Sequence, residues 1–423
     1  MESSGRLASS SPPTPTSSSS PPPPPPPPPL SSPTSASSSS SCSPPAVVAV
    51  LGATGFLGRL LVREAAQAGY AVRAVVRPSA DPRRVAELSR ARNVSVVRCE
   101  TVPSAAAPGA PSSAPGSSLA AALAGCSAVL CALAGRGNTG GAEGVARMRS
   151  VEVDGIVACF EAFLESAPPR NCSPETFTRR RRRRFVAFAP PVRQLTRNGT
   201  RRPLSEYVRA KEEMEQRLRL AAEAAFKAEA ERGEEAAKRR GAGAEAAPPS
   251  SPSPAVAVAV AVSVFEVAAW GRDSAPIAAA LLRSRASLVV SGGRNRLQPL
   301  DEGDLARRVV RGLSLQGDAS AGPGGAAPFT VVSVGGPRVL TWRELVADAG
   351  RRVGVEPVFV SVPRWALEKV LVPAAELASR SSTRLSRAGY LARLAADVMA
   401  TDLVAEEAVG GGGGGGGGVE AKL

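Results

Sequence analysis

Three glycines at a spacing of three residues are the part of this sequence that most directly suggests chemistry. Gly52, Gly55 and Gly58 follow an apolar run, Val47–Leu51, and open a segment with helical periodicity, Phe56–Ala68. In such a strand-to-helix turn the first glycine permits the tight turn, the second lets the backbone approach a diphosphate, and the third lets the helix pack closely on the strand. The N–H groups that begin the helix then face the phosphates. The spacing therefore predicts a dinucleotide-binding turn, whose other members include Thr54, Phe56 and Leu57.

A basic side chain stands where this kind of fold distinguishes the two nicotinamide dinucleotides. Arg77 directly follows the second predicted strand, Ala71–Val76, and the end of that strand lies beside the adenosine ribose. An acidic residue there would bind the 2′-hydroxyl, whereas Arg77 can pair with a 2′-phosphate, supported by Arg59. We therefore predict NADPH as the cofactor. The alternative is an exposed arginine that only begins a loop.

A phenol and an ammonium group stand four residues apart at Tyr207 and Lys211, which places them on one face of a helix. A nearby ammonium lowers the pKa of a phenol and can bind the ribose of a nicotinamide, so Tyr207 could protonate a reduced substrate. These two residues are the predicted catalytic pair. A solvated amphipathic helix would carry the same short pattern, and the spacing alone leaves both interpretations open.

The composition excludes several kinds of chemistry. None of the 423 residues is histidine, which rules out histidine acid–base catalysis, Ser-His and Cys-His nucleophiles, and the usual zinc sites with histidine ligands. We predict no metal site. The six cysteines form no C-x-x-C pair and lie mostly among apolar or small residues, so we expect reduced and mostly buried thiols.

The net charge of +15 includes a run of six arginines, Arg179–Arg184. Adjacent guanidinium groups repel one another, so the run is predicted to lie on a solvated loop before the fifth strand. The sequence shows no zinc-ligand spacing, helix-turn-helix pattern or aromatic platform beside it, so we expect no specific nucleic-acid partner. The longest apolar run, near Ala255–Phe265, is shorter than the roughly 20 residues of a membrane-spanning helix, and a soluble protein is expected.

Short apolar runs alternate with helical stretches, which is typical of βαβ units and a parallel sheet. Predicted strands are Val47–Leu51, Ala71–Val76, Val94–Val97, Ala128–Ala132, Phe185–Phe188 and Ala257–Val264. Helix boundaries are predicted at Gly69, Asp81, Asp301 and the capping box Thr341–Glu344. The predicted fold class is α/β, a Rossmann-type doubly wound parallel sheet followed by a smaller, mixed carboxyl-terminal substrate region.

The composition also divides the chain into segments. In order they are a Ser/Pro-rich disordered tail or transit segment (1–45), a Rossmann domain (46–264) with insertions at 102–117 and 221–254, the substrate region (265–405) and a flexible Gly-rich tail (406–423). The amino-terminal composition leaves two interpretations equally open, an organelle transit segment and a disordered Pro-rich tail, and with the tail a cytoplasmic protein is expected.

Over about residues 46 to 405 the chain resembles atypical short-chain dehydrogenase/reductases. The resemblance is carried by four segments: Gly52–Arg59 (GATGFLGR), Arg209–Lys211 (RAK), Leu297–Ala306 (LQPLDEGDLA) and Gly335–Glu344 (GGPRVLTWRE). Within that group the chain looks most like the NmrA-like branch that includes plastid divinyl chlorophyllide 8-vinyl reductases, because Pro203–Lys211 (PLSEYVRAK) is similar to their central helix.

The resemblance implies an NADPH-dependent reductase. NADPH would bind at Gly52–Gly58 and Arg77, with Lys211 near the nicotinamide ribose and Glu100 at the position of the acidic residue that contacts adenine. The substrate would be a small molecule, in the narrowest version the 8-vinyl group of divinyl (proto)chlorophyllide, a tetrapyrrole, in the chloroplast.

Three positions depart from the family pattern. Phe188-Ala189-Pro190 has no serine where the catalytic trio has one, and Phe265-Glu266 replaces a common Arg-Pro pair. Cys99 stands before Glu100, where glycine is common. The missing serine leaves an alternative from another class, a non-catalytic NADPH-binding redox sensor or a structural subunit of a complex.

Overall fold

A computed structural model describes residues 46–101, 115–134, 141–166, 183–197, 205–242, 260–270, 282–315, 327–379, 396–399 and 401–405. These residues all belong to one compact unit, Pro44–Leu423. The predictions for the two tails, for residues 102–114 and 243–254 of the insertions, and for Cys42 and Cys172 lie outside the described residues.

Seven parallel strands form the central sheet, in the order β11-β6-β5-β4-β1-β2-β3. Their bounds are β1 Val47–Leu51, β2 Ala71–Val76, β3 Val94–Arg98, β4 Ala128–Cys131, β5 Arg183–Ala189, β6 Val260–Val267 and β11 Phe329–Val334. The strand order reverses between β1 and β4, which makes this a doubly wound Rossmann-type sheet with its switch point there. The predicted fold class is confirmed.

Helices cover both faces of this sheet. They are α1 Phe56–Gln67, α2 Pro82–Ser89, α3 Pro115–Leu123, α4 Gly141–Arg149, a π-helical turn Ser150–Gly155, α5 Ile156–Glu165, α6 Val192–Arg197, α7 Glu206–Ala242 and α8 Glu302–Leu315. One face packs Phe160 of α5 on Phe185 of β5, and the other packs Leu61 of α1 near Val309 of α8. Because both faces are covered, the strands are apolar almost throughout, as all four buried residues of β4 show.

The carboxyl-terminal region consists of short strand pairs and helices. Its elements are β7 Ala269–Trp270, β8 Ala286–Val290, β9 Arg296–Leu297, β10 Pro299–Leu300, β12 Leu340–Thr341, α9 Trp342–Arg352, β13 Val358–Val362, α10 Arg364–Ala366, a π-helical turn Leu367–Leu371 and α11 Val372–Ser379. β8 pairs with β13 and β9 with β12. Within the described residues, no helix is both long enough and apolar enough to span a membrane.

The predicted helix boundaries are formed as the local sequence indicated. The Asp81 side chain accepts a hydrogen bond from the Arg83 backbone N–H at 2.9 Å. Asp301 accepts from the N–H groups of Gly303 and Asp304 at 2.8 and 3.1 Å. Thr341 and Glu344 form the reciprocal capping box.

The arginine run departs from the prediction. Arg183 and Arg184 lie inside β5 rather than on a loop, and Arg183 is buried. Its guanidinium donates to the Ser166 carbonyl at 3.0 Å and lies 3.8 Å from the centre of the Phe163 ring. Burial lowers its pKa to about 10. The prediction of a solvated loop was wrong for these two residues, because backbone carbonyls and an aromatic face replace the water that a guanidinium needs. Arg179–Arg182 lie outside the described residues.

The four described cysteines are buried, unbridged thiols: Cys99, Cys126, Cys131 and Cys159. Burial raises the pKa of the Cys126 thiol. A hydrogen bond with Cys131, together with burial, raises that of Cys159 well above its ordinary value. The prediction of reduced, buried cysteines is confirmed for these four.

Candidate functional site

The glycine-rich turn lies at the carboxyl ends of β1 and β4, the switch point of the sheet. Gly52 follows β1 with φ +72°, a left-handed conformation that favours glycine. A Cβ on Gly52 would lie 2.7 Å from the Ala132 carbonyl oxygen, which follows β4. Glycine at position 52 is therefore required both by the left-handed turn and by the close approach of the backbone that follows β4.

Gly55 and Gly58 answer different steric demands. A Cβ on Gly58 would lie 2.2 Å from the Gly52 carbonyl oxygen, so the third glycine is required by the packing of α1 on the turn. Gly55 donates its N–H to that same oxygen at 2.8 Å, and a Cβ on Gly55 would lie 3.0 Å from it. A side chain at Gly55 would require the Gly52 carbonyl to move by a few tenths of an ångström. Of the three glycines, Gly55 therefore has the weakest steric demand from the fold.

The beginning of α1 suits an anion. Gly55 is its N-cap, so no N-cap side chain covers the helix start, and the first turn carries no acidic residue. The positive end of a helix dipole and the N–H groups of its first turn favour a phosphate. A glycine-rich turn followed by a helix start without negative charge suits the diphosphate of a dinucleotide.

A third arginine, which the sequence analysis missed, reaches this turn from α2. The Arg84 guanidinium donates to the Thr54 carbonyl oxygen at 3.4 Å, and Arg77 is exposed at the end of β2. Both stand on the side of β1 where the adenosine half of a dinucleotide lies in this fold. The i+3 spacing from the helix cap Asp81 is the signal that would have placed Arg84 one turn into α2.

The other predicted dinucleotide residues are distributed around the turn. Phe56 and Arg59 line a groove of about 650 Å³ between α1 and α2, and Arg59 pairs with Glu87 at 3.7 Å. Leu57 is half-buried against the α1 face of the core. Glu100 is exposed just after β3.

The structure brings Tyr207 and Lys211 together on one face of α7. The Lys211 Nζ atom lies 6.0 Å from the centre of the Tyr207 ring and is buried, with 3% of the side chain exposed. It donates to the Phe188 carbonyl oxygen at 3.2 Å and pairs with Glu152 Oε2 at 2.6 Å. The ammonium group has three donors, and these two partners hold it at the carboxyl end of β5.

Glu152 was not predicted, and two further buried carboxyl groups stand near Lys211. Glu215 follows Lys211 by four residues on α7. Glu266, the next-to-last residue of the apolar strand β6, accepts a hydrogen bond from the Arg193 N–H at 3.2 Å. Burial, and then the charge of Glu266, raises the pKa of Glu215 to about 8. Arg193, Lys211 and Arg219 act in the opposite direction. The sequence signal for Glu266 is a glutamate within an apolar strand. The signal for Glu215 is a glutamate on the helix face that also carries the apolar residues Met214 and Leu218.

The segment Phe188-Ala189-Pro190, which the sequence analysis noted for its lack of a serine, includes Ala189 as the last residue of β5, buried and paired with Glu266 in the register of the sheet. No hydroxyl group is available from that residue. Within the described residues, no group of three metal-ligating side chains could hold a metal ion.

Comparisons with known proteins cover this part of the chain. Residues 45–146 match the model of the NmrA-like family. The match includes β1 to β4 and therefore the whole glycine-rich turn. A search of curated proteins gave no match.

A search of solved structures gave matches at low sequence identity. MoeE5 in complex with UDP-glucuronic acid and NAD is 16% identical over 75% of this chain and 85% of its own, with a TM-score of 0.45. A UDP-glucose 4-epimerase from Thermotoga maritima is 15% identical, with the same coverage and a TM-score of 0.46. An isoflavone reductase is 17% identical over 87% of this chain and 95% of its own, with a TM-score of 0.46.

The first prediction separates ligand binding from folding at Gly55. We expect Gly55→Ala to change the free energy of unfolding by no more than about 1 kcal/mol, because φ there is −71°. It should weaken nicotinamide dinucleotide binding at least about tenfold, because the methyl group blocks backbone approach. Isothermal calorimetry and urea unfolding measure the two effects. Gly69→Ala, at the other end of α1, is the control: it should destabilise the fold at φ +86° and leave binding intact. Unaltered affinity in Gly55→Ala would refute the phosphate-binding turn.

The second prediction concerns the pH dependence of stability. A carboxyl group whose pKa is raised from 4.5 to about 8 by folding holds a proton in the folded state that the unfolded state has lost. The free energy of unfolding therefore falls as pH rises through this window, by up to about 1.4 kcal/mol per pH unit from Glu215. We expect Glu215→Gln to flatten this decline in urea unfolding between pH 5 and 8, whereas Glu212→Gln, an exposed neighbour on α7, should not. Identical pH slopes in all three proteins would contradict the burial of a neutral Glu215.

Proposed function

We propose that this chain is an NADPH-dependent reductase of the atypical short-chain dehydrogenase/reductase type that acts on a small-molecule substrate. The observation that carries the proposal is the turn Gly52–Gly58, which stands at the switch point of the sheet and opens α1 with a glycine N-cap and no acidic residue in the first turn. The NmrA-like family match over residues 45–146 contains this turn and supports the same assignment.

In this proposal the turn holds the diphosphate, and Arg77 and Arg84 contact the 2′-phosphate of the adenosine ribose. Arg59 supports them from α1, although its ion pair with Glu87 directs it toward α2. Glu100 would lie near the adenine, and Lys211 near the nicotinamide ribose. The bound nicotinamide supplies a hydride to the substrate.

The chain itself supplies the proton. Tyr207 would donate its hydroxyl proton to the substrate, and the Lys211 ammonium, held by Glu152 and the Phe188 carbonyl, would stabilise the resulting phenolate. Ala189 offers no hydroxyl to stabilise an oxyanion. The lack of this hydroxyl favours a conjugated carbon–carbon double bond as the group that is reduced. When hydride adds to such a bond, the negative charge spreads over the conjugated substrate, whereas in a carbonyl it falls on one oxygen that needs a hydrogen-bond donor.

The narrowest version is reduction of the 8-vinyl group of divinyl (proto)chlorophyllide in the chloroplast, and it rests on the similarity of residues 203–211 to the central helix of those reductases. The missing serine is compatible with it, because a vinyl group has no oxygen to stabilise.

The third prediction tests cofactor choice. We expect the chain to bind NADPH at least about tenfold more tightly than NADH, because each charge-assisted hydrogen bond to the 2′-phosphate contributes about 1.5–3 kcal/mol. The double variant Arg77→Ala, Arg84→Ala should lose this preference and keep its NADH affinity. The double variant Arg90→Ala, Arg92→Ala, which removes two exposed arginines of the same region, is the matched control for total charge. Equal loss of both dinucleotides would argue against a 2′-phosphate site.

The fourth prediction tests the reaction. With NADPH, the purified protein should convert divinyl chlorophyllide to its 8-ethyl product, followed by chromatography. Tyr207→Phe should slow turnover by about 10²- to 10⁴-fold, the usual contribution of a proton donor, while NADPH still binds. A protein that binds NADPH but leaves this substrate unchanged would remove the tetrapyrrole version. If no vinyl or carbonyl substrate is reduced and partner binding survives Tyr207→Phe with Lys211→Ala, the sensor alternative takes its place.

A further inference from the structure

The buried face of α7 carries a column of three polar side chains at a spacing of four residues. Tyr207, Lys211 and Glu215 stand one helical turn apart on the same face. Lys211 and Glu215 are buried, and Tyr207 is half-buried. The proposed proton donor and its ammonium partner therefore continue into a carboxyl group that the proposed reaction does not use.

Lys211 stands in the middle of this column, one helical turn from Tyr207 and one from Glu215. Its Nζ atom pairs with Glu152 at 2.6 Å and donates to the Phe188 carbonyl. Helical side chains lean toward the amino terminus of their helix, so Glu215 leans back over the turn that carries Lys211. The positive charge of Lys211 favours the carboxylate form of Glu215 and lowers the pKa of this carboxyl group.

The surroundings of Glu215 favour its neutral form. Its Oε1 atom is buried, and among the described residues it has no hydrogen-bond partner. The charged groups that act on it are Glu266 from β6, Arg193 from α6, and Lys211 and Arg219 from α7. A carboxylate at this place would have an unsatisfied oxygen close to the negative charge of Glu266, so both burial and charge oppose ionisation.

Building on the proposed function, we propose that Glu215 is a positioning residue that controls how strongly the Lys211 ammonium stabilises the phenolate form of Tyr207. The neutral carboxyl leaves the Lys211 ammonium to Glu152 and the phenol. The ionised carboxylate competes for that ammonium and adds a negative charge to those of Glu152 and Glu266. The phenolate form of Tyr207 is then less stable, and proton donation by Tyr207 becomes less favourable at alkaline pH.

The effect is measured on Tyr207 itself, without cofactor. The sequence contains only three tyrosines, so the ultraviolet absorbance of tyrosinate, with the matching Tyr207→Phe protein subtracted, isolates the ionisation of this phenol. In the wild type Glu215 is ionised before the phenol titrates. We expect Glu215→Gln to lower the pKa of Tyr207 by about one unit, a tenfold increase in phenolate at a given pH, because one negative charge is removed. Glu212→Gln, an exposed change on the same helix, should leave the titration unaltered.

Two further results decide the proposal. Glu215→Met, which is apolar and of similar length, should lower the pKa of Tyr207 in the same direction, and it keeps the test open if the amide variant does not fold. An unchanged Tyr207 titration in both Glu215 variants would overturn the proposal.

NADPH binding, measured on the same proteins, separates this outcome from failure of the proposed function. If NADPH binds while the Tyr207 titration is unaffected by Glu215, only the role of Glu215 is refuted. If the titration shifts but no protein binds NADPH, the coupling of Glu215 to Tyr207 is supported and the proposed reductase function is refuted.

Discussion

The close backbone contact between the first turn and its two neighbours is the constraint on which the rest of this structure depends. Gly52 approaches the carbonyl after β4, and Gly58 approaches the carbonyl of Gly52. These contacts bring β1, β4 and α1 together without intervening side chains. Consequently the amino end of α1 lies directly at the switch point of the sheet, with glycine and not a larger residue as its N-cap. A diphosphate binds where a rigid turn meets such a helix start.

The second organising feature is the buried ion pair of Lys211 and Glu152. Removing two charges from water costs several kcal/mol per ion, and their mutual attraction offsets this cost only when the geometry is good and further hydrogen bonds are made. Here the distance between Lys211 Nζ and Glu152 Oε2 is 2.6 Å, and the Phe188 carbonyl oxygen accepts a further hydrogen bond from the ammonium group. A protein retains such a pair most readily where a fixed positive charge is useful. The π-helical turn Ser150–Gly155 places Glu152 opposite Lys211, so this local irregularity and the ion pair belong together.

The sequence was most informative where a local rule determines the structure. The bounds of β1 and β2, the caps Asp81 and Asp301 and the capping box at Thr341 follow from neighbours within four residues, and the structure agrees with them. The glycine spacing identified the turn because each glycine meets a local steric demand. Pairings across the chain were beyond local rules: Arg183 was misjudged because its partner Ser166 lies 17 residues away, and Glu152, Glu266 and Arg84 join the site only through the sheet order. The roles of Tyr207 and Lys211 stay predictions until they are measured.

Two glutamine side chains, here called the glutamine clamps, hold residues 404 and 405 by hydrogen bonds. They bear on the order in which the parts of the chain fold. Gln194 makes two hydrogen bonds with the backbone of Val404, and Gln298 joins the Gly336 carbonyl to the Ala405 N–H. One of the two edge strands of the sheet, β11, also comes late in the chain and adds to β6. On the ribosome, the other six strands can therefore assemble while the edge of β6 is still uncovered. This exposed edge invites strand exchange between nascent chains until residue 334 has emerged, and the clamps close only when residue 405 has followed.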